Sequence, residues 1–430
     1  MHRGVEVVTA RGAASAPPHT PPARLPERTA GPLLVGLFAA AYCGVYIALV
    51  TPVTVTLAVK AQQIAPHDKQ AVLSLALGIG SVLAILGNPL FGRLSDRTTS
   101  RFGMRRPWLV GGLVGGLAGL LVCATTRDVA TLVAGWCLTQ LGFNAVLAAL
   151  IAVLPDQIPE HRRGAVSGVL GLCLSVALVV GSFLAQAVSS SVVLMFMVPA
   201  GVGALTVLAL VAVLRDRRLT ERPPFGVREL ARSYWVDPRR HPDFGWAWLS
   251  RCLMFMGTSV LSAYKTFYLS DHLGYPAAQV PRLVFWALLT QTVVTVIGSQ
   301  LSGWLSDRVK RRKPFVVWAA VLYGLGLLVI SLADSFALFL LGMAITGIGF
   351  GTYLSVDLAL VTDVLPSRAT AGRDLGVFNI ATALPQSLAP TLAPAVLAVG
   401  GGENYALLFL LAALSAVAGA AALQPVRAVR

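Results

Sequence analysis

The sequence predicts an all-α membrane protein in which twelve transmembrane helices form two similar six-helix halves. Three observations predict it. Of 430 residues, 56% are hydrophobic and only 12% charged, and the mean hydropathy is +0.74. A soluble chain carries about 25% charge, so lipid rather than water faces most of this surface. The chain also contains twelve apolar runs near the length of about 20 residues that a membrane helix needs. Finally, two polar motifs recur, in the same order, in the first six runs and in the last six.

Taken in order, residues 1–31 are rich in Ala, Pro and Arg without a continuous apolar core. They read as a disordered cytoplasmic tail and not as a secretory signal. The first half, 32–214, holds runs at Leu33–Val59, Gln70–Phe91, Pro107–Ala124, Val129–Leu154, Gly164–Ala187 and Val192–Leu214. The first run is long and the third is short. The polar stretch Arg215–Asp243 then interrupts the apolar pattern, and 215–244 is the linker between halves. Its segment Val227–Trp235 reads either as a short amphipathic helix on an anionic leaflet or as solvated chain. The second half, 245–424, holds Gly245–Leu269, Val284–Leu305, Phe315–Leu332, Phe336–Leu360, Leu375–Val399 and Tyr405–Leu423. The eleventh run carries Pro385, Pro390 and Pro394, which free backbone carbonyls and favour a bend. Residues 425–430 form a short tail.

Charge sets the orientation. An even number of spans puts both termini on one side. That side holds 28 of the 34 Lys and Arg residues; the other holds Lys60, Lys69, Arg127 and Arg282, and two lie within spans. Positive residues concentrate on the cytoplasmic side, so both termini are expected there, in a multi-pass protein of the inner (plasma) membrane. The net charge of +15 is thereby a topology signal. It calls for a lipid bilayer as partner and no nucleic acid. The five cysteines, Cys43, Cys123, Cys137, Cys173 and Cys252, fall inside apolar runs without metal-ligand spacing. No GxSxG, Walker A or HExxH motif is present, so neither an enzyme nor a bound cofactor is expected.

The repeated motifs follow runs 2 and 8, and runs 4 and 10. Gly92-Arg-Leu-Ser-Asp96-Arg97 is echoed by Gly303-Trp-Leu-Ser-Asp307-Arg308, each followed by a basic cluster and a proline. Asp156-Gln-Ile-Pro159 is echoed by Asp363-Val-Leu-Pro366. Repeated halves are common in secondary transporters. The G-x-L-S-D-R loop, present in both halves, resembles the signature of the major facilitator superfamily. Its extended form at Leu94–Trp108 looks like the branch of sucrose transporters and glycoside–pentoside–hexuronide symporters. The resemblance implies the superfamily's fold of two pseudo-symmetric six-helix bundles. It also implies that each motif carboxylate docks on the opposite half when the cytoplasmic side is shut. Asp96 would then face the start of helix 11 near Arg373, and Asp307 the start of helix 5 near Arg162 and Arg163. The plainer reading of these residues is topogenic charge.

The same resemblance places a solute cavity among helices 1, 4, 7 and 10. The polar residues there are Tyr42, Tyr46, Gln140, Asn144, Thr258, Tyr264 and Tyr353, with Thr51, Ser259 and Ser355 nearby. Gln140 and Asn144 share a helical face, as do Tyr42 and Tyr46. Hydroxyls, amides and aromatic faces suit a sugar, although they also serve helix packing. Ionisable residues inside spans are costly and functional by default. Arg251 and Asp357 sit at matching depths, and an ion pair coupled to protons is one reading; snorkelling to the interface is the other. Lys265, near the outer end of helix 7, is expected to snorkel. Helices 1, 2 and 4 lack the interior carboxylates of sodium-coupled melibiose-type proteins, which argues against sodium. Helix 5 reads GVLGLCLSVALVVGS, without the G-P-x-x-G-G of drug–proton antiporters. The function expected is secondary active transport of a sugar-like solute by proton symport, by a monomer. An exporter of drug-like compounds and a non-transporting receptor of the same fold are the alternatives.

Overall fold

The computed structural model of the chain describes residues 31–158, 160–216, 218–219, 241–309, 313–364, 371–400 and 402–426. Among the described residues, twelve long helices follow one another and no strand is present. The first, α1, is α-helical over Pro32–Thr51, passes through a π-helical turn at Pro52–Thr56 and resumes over Leu57–Ile64. Pro52 has no N–H to give the regular ladder, which places the irregular turn there. The first half continues with α2 (Lys69–Ser95), α3 (Arg106–Thr125), α4 (Val129–Gln157), α5 (Glu160–Ala187) and α6 (Val192–Val213). The second half opens with α7 (Pro242–Phe267), extended by another π-helical turn at Tyr268–His272. It continues with α8 (Val280–Val309), α9 (Lys313–Ser331), α10 (Phe336–Val364), α11 (Ala371–Leu397) and α12 (Tyr405–Ala422).

Eleven of these helices are long and apolar enough to cross a membrane. The twelfth, α7, carries Asp243, Arg251 and Lys265. Its polar residues are tolerated because that helix is largely enclosed by protein. Helices outrun the apolar runs at their polar ends, since hydropathy locates the lipid-facing part and not the last hydrogen bond. Gly92–Ser95, expected as loop, is the last turn of α2, where the Asp96 N–H donates to Gly92 O at 3.0 Å. Gly303–Arg308 lies within α8 in the same way, and Asp156 and Asp363 lie within α4 and α10. Three prolines do not interrupt α11. Most of the linker, with Val227–Trp235, lies outside the described residues.

Short polar side chains start several helices. Asp128 accepts the Thr131 N–H at 2.8 Å ahead of α4, and Asn404 accepts the Leu407 N–H at 3.0 Å ahead of α12. The Thr131 N–H and hydroxyl hold the Asp128 carboxyl below its ordinary range.

The repeat seen in the motifs extends into the packing. A Cβ on Gly119 of α3 would lie 2.5 Å from Gly135 O of α4; one on Gly326 of α9 would lie 2.8 Å from Gly342 O of α10. Similarly, Gly142 abuts Gly116 and Gly112, while Gly349 abuts Tyr323 and Ala319. Every residue of the first set lies 207 positions before its counterpart (119 to 326, 142 to 349). Backbone-to-backbone contact of this kind is how membrane helices gain packing energy without a hydrophobic drive. Gly142→Val and Gly349→Val are each expected to overpack the pair by about 1–3 kcal/mol or more. Thermal unfolding in detergent measures this; an unchanged midpoint would show that the helices have room to part.

Candidate functional site: the interface between the two halves

The halves meet along α2 against α11 and α5 against α8, with the π-helical turn of α1 against α7. The face carrying the chain ends is called here the terminal face, and its opposite the far face. Among the described residues, the polar contacts between halves all lie toward the far face. Lys69 Nζ pairs with Asp271 Oδ1 at 2.6 Å, and the side chains are only 11% and 5% exposed. Within the second half, Tyr405 O–H donates to Asp271 Oδ2 at 2.7 Å and Ser270 O–H to Oδ1 at 2.7 Å, which holds the carboxylate for Lys69. Gln70 Nε2 donates to the Tyr405 oxygen at 3.2 Å. Deeper, the hydroxyls of Ser74 and Tyr264 bond at 2.6 Å, and Thr266 O–H donates to Thr54 O in the π-helical turn of α1. The deepest contact is Ser81 O–H to Gln386 O at 3.1 Å. Ser81 lies twelve residues into α2, roughly 18 Å from its far-face end. This stack seals the far side.

At the terminal face the motif of the first half is tied within its own half. Arg105 reaches Asp96 Oδ1 at 2.6 Å, Asp156 Oδ2 at 2.9 Å and Ser95 Oγ at 2.9 Å. Asp216 accepts the N–H groups of Arg105 and Arg106 at 2.6 and 2.7 Å, capping α3. Asp96, expected against Arg373, thus has Arg105 as its partner among the described residues. The side chains of Asp307, Arg162, Arg163 and Arg373 lie outside the described residues. Arg308 is exposed and lies over the Trp304 ring at 5.3 Å.

Between the two faces the structure brings Arg251 and Asp357 together. Arg251 Nη1 donates to Asp357 Oδ2 at 2.9 Å, with the side chains 14% and 12% exposed. Its Nε donates to Thr382 Oγ1 of α11 at 2.8 Å, and its guanidinium lies over the rings of Phe255 and Phe378 at 5.6 and 5.0 Å. The cation is thus engaged through Nε and Nη1. Asp357 Oδ1 is buried without a hydrogen bond of ordinary geometry, and the Tyr353 hydroxyl is its polar neighbour. Snorkelling is the arrangement that this pair does not adopt. Lys265 does not snorkel either. It is 1% exposed, and its amine donates to Ser262 O at 2.6 Å. Tyr264 and Thr266 beside it are clamped in the far-side seal, so that end of α7 is covered.

The other cavity residues divide. Tyr42 and Tyr46 stay partly exposed, edge to face at 5.0 Å with their hydroxyls 3.5 Å apart. Tyr353 is buried one turn before Asp357 and edge-on to Phe255 at 6.0 Å. Asn144 Nδ2 donates to Gln140 Oε1 at 3.1 Å and to its backbone oxygen at 2.8 Å. Both are buried against α2, where Gly80 faces Gln140 and Gly87 faces Asn144. Their amides are partly spent on each other. Thr258 O–H reaches back to Met254 O at 3.4 Å. Tyr264 is fully buried in the seal. Sequence reasoning missed Lys69, Asp271 and Tyr405 because each ends or begins a run and reads as ordinary loop polarity. The signal available was an acid at the end of run 7 and a base at the start of run 2, on the face that carries few other basic residues.

Two six-helix bundles of repeated packing meet across an interface held together toward the far face, and the second bundle carries a buried charge pair. The chain belongs to the Major Facilitator Superfamily, whose signature matches residues 33–290 and 281–429. It is similar to mouse solute carrier family 22 member 18, with 23% identity over 75% of this chain and 78% of that one. A 56-residue stretch is 45% identical to human proton-associated sugar transporter A, covering 13% of this chain and 8% of that protein. Other short matches include a protein named for multidrug resistance. In the bacterial and fungal relatives matched first, the aligned stretch spans only 24–31% of their length. In fold the chain is similar to the nucleoside transporter NupG, with a TM-score of 0.72 at 11% identity, over 91% of this chain and 99% of that one.

Proposed function

We propose that the chain carries a small polyhydroxylated solute across the plasma membrane by alternating access, in symport with protons. The observation that carries this reading is the Arg251–Asp357 pair. It is a buried carboxylate on the helix pair that flanks the interface, with one oxygen lacking a hydrogen bond of ordinary geometry and able to take a proton. Protonating Asp357 neutralises it and releases Arg251, so proton binding and rearrangement of α7, α10 and α11 are linked. Tyr42, Tyr46 and Tyr353 offer ring faces and hydroxyls of the kind sugars use. The short match to a protein named as a proton-associated sugar transporter supports the class. So does the resemblance of Leu94–Trp108 to the extended motif of the sucrose-transporter branch. The concentration of Lys and Arg supports a cytoplasmic terminal face. On that orientation the far-side seal is the outer gate. Asp96 then exchanges Arg105 for the opposite half when the inner side shuts.

Uptake of labelled sugars into proteoliposomes under an imposed proton gradient tests the proposal. Accumulation that collapses when an uncoupler dissipates the gradient is the expected result. Extrusion of hydrophobic compounds without sugar flux would favour the drug-exporter reading, and solute binding without any flux the receptor reading. An Asp96→Asn variant is expected to slow the cycle while leaving solute affinity within about twofold, because a rim ion pair contributes about 0–1 kcal/mol. Comparing initial rate with equilibrium binding measures it.

A further inference from the structure

One groove opens on the flank of the second half, next to the edge of the interface. It has a volume of about 490 Å3, and its walls include Gln279, Arg282, Trp286 and Thr290 of the α8 side with Phe336 and Leu340 of α10. The flank faces lipid. Along α8, Trp286, Val293, Ile297, Leu301 and Trp304 are 46–63% exposed and recur at helical spacing, while Gln291 and Thr295 on the other side touch α10. Arg282 sits one turn above Trp286 on the same stripe. It is exposed, and no hydrogen bond, ion pair or ring contact to it is present among the described residues. It is also the only Lys or Arg of α8 before its terminal-face end.

We propose that this groove holds an anionic glycerophospholipid, its phosphate on Arg282 and Gln279 and one acyl chain along Trp286, Leu340 and Phe336. Three features favour that occupant. An arginine fork matches two phosphate oxygens, and here it has no protein carboxylate to satisfy it. An indole one turn deeper suits the level where headgroup gives way to chain. From Arg282 to Thr290 the wall descends two turns, roughly 12 Å, which is long enough for the upper part of an acyl chain and open sideways to the bilayer. A snorkelling arginine needs no groove beneath it; this one has both. The lipid would brace α8 against α10, beside the Phe183–Phe285 contact between the halves at 5.6 Å.

Native mass spectrometry of the full-length protein, titrated with phosphatidylglycerol, phosphatidylcholine or inorganic phosphate, tests this. Wild type is expected to keep one phosphatidylglycerol per chain more tightly than any phosphatidylcholine. Arg282→Gln should weaken that adduct about tenfold, the equivalent of one charge-assisted hydrogen bond, and Arg282→Lys should weaken it less. Because Arg282 is exposed, the substitution removes no packed contact, and an unchanged melting curve verifies that. Leu340→Trp, which fills the groove from the other wall, should also expel the lipid with Arg282 intact. Equal phosphatidylglycerol binding by wild type and Arg282→Gln would overturn the proposal. So would displacement of the lipid by inorganic phosphate alone, which would mark a free-anion site instead.

Discussion

Replacing Asp357 by Asn is expected to abolish gradient-driven accumulation while leaving solute exchange intact. With one proton per solute, each pH unit of gradient supports about tenfold accumulation. A side chain that cannot titrate lowers the ratio to one. Asn can still accept from Arg251, so the helices stay in register and counterflow of labelled against unlabelled solute continues. Arg251→Ala is different. It leaves a carboxylate buried without its cation, a loss of about 3–5 kcal/mol when one partner of a buried pair is removed. That variant is expected to unfold earlier, and Arg251→Ala combined with Asp357→Asn should recover part of the loss, since no charge is then stranded. The three proteins separate coupling from stability. If Asp357→Asn still accumulates solute like wild type, the carboxylate is not where the proton binds, and the pair is architectural.

The sequence made the helices, their number and their repeat legible, because lipid imposes a length and an apolar composition that a window of residues can show. It also placed Arg251 and Asp357 at one depth, since charges inside spans are rare enough to be compared directly. It did not show the function of single helix faces. Gln140 and Asn144 share a face, as their spacing requires, but that face is turned to the glycines of α2, and only the tertiary packing says so. Helix ends were also misplaced, at Gly92–Ser95 and at Asp156, because a helix continues into the interface where hydropathy has already fallen. Lys265 was misread for a related reason. Distance from the span's end suggested an escape to water, whereas the closed seal around Tyr264 and Thr266 blocks it.

That seal supports the second large effect. Lys69 and Asp271 are nearly excluded from water, and Asp271 accepts three donors, from Lys69, Tyr405 and Ser270. A hydrogen bond to a charged group contributes about 1.5–3 kcal/mol, and of the three only the one from Lys69 crosses between the halves and exists only while the far side is shut. Asp271→Ala removes it from one of the two states. The equilibrium should therefore move toward the state open on the far face by roughly tenfold or more, a factor that 1.4 kcal/mol already provides. Spin labels at His67 and Ala278, both exposed on that face and on opposite halves, report it as a longer distance component. The native cysteines are replaced beforehand. The charge swap Lys69→Asp with Asp271→Lys should restore the short component, because the pair reforms with its sign reversed. Should the distance distribution of Asp271→Ala match wild type, the closed side is held by the deeper contacts of Ser74, Tyr264 and Ser81, and the ion pair is only a passenger on them.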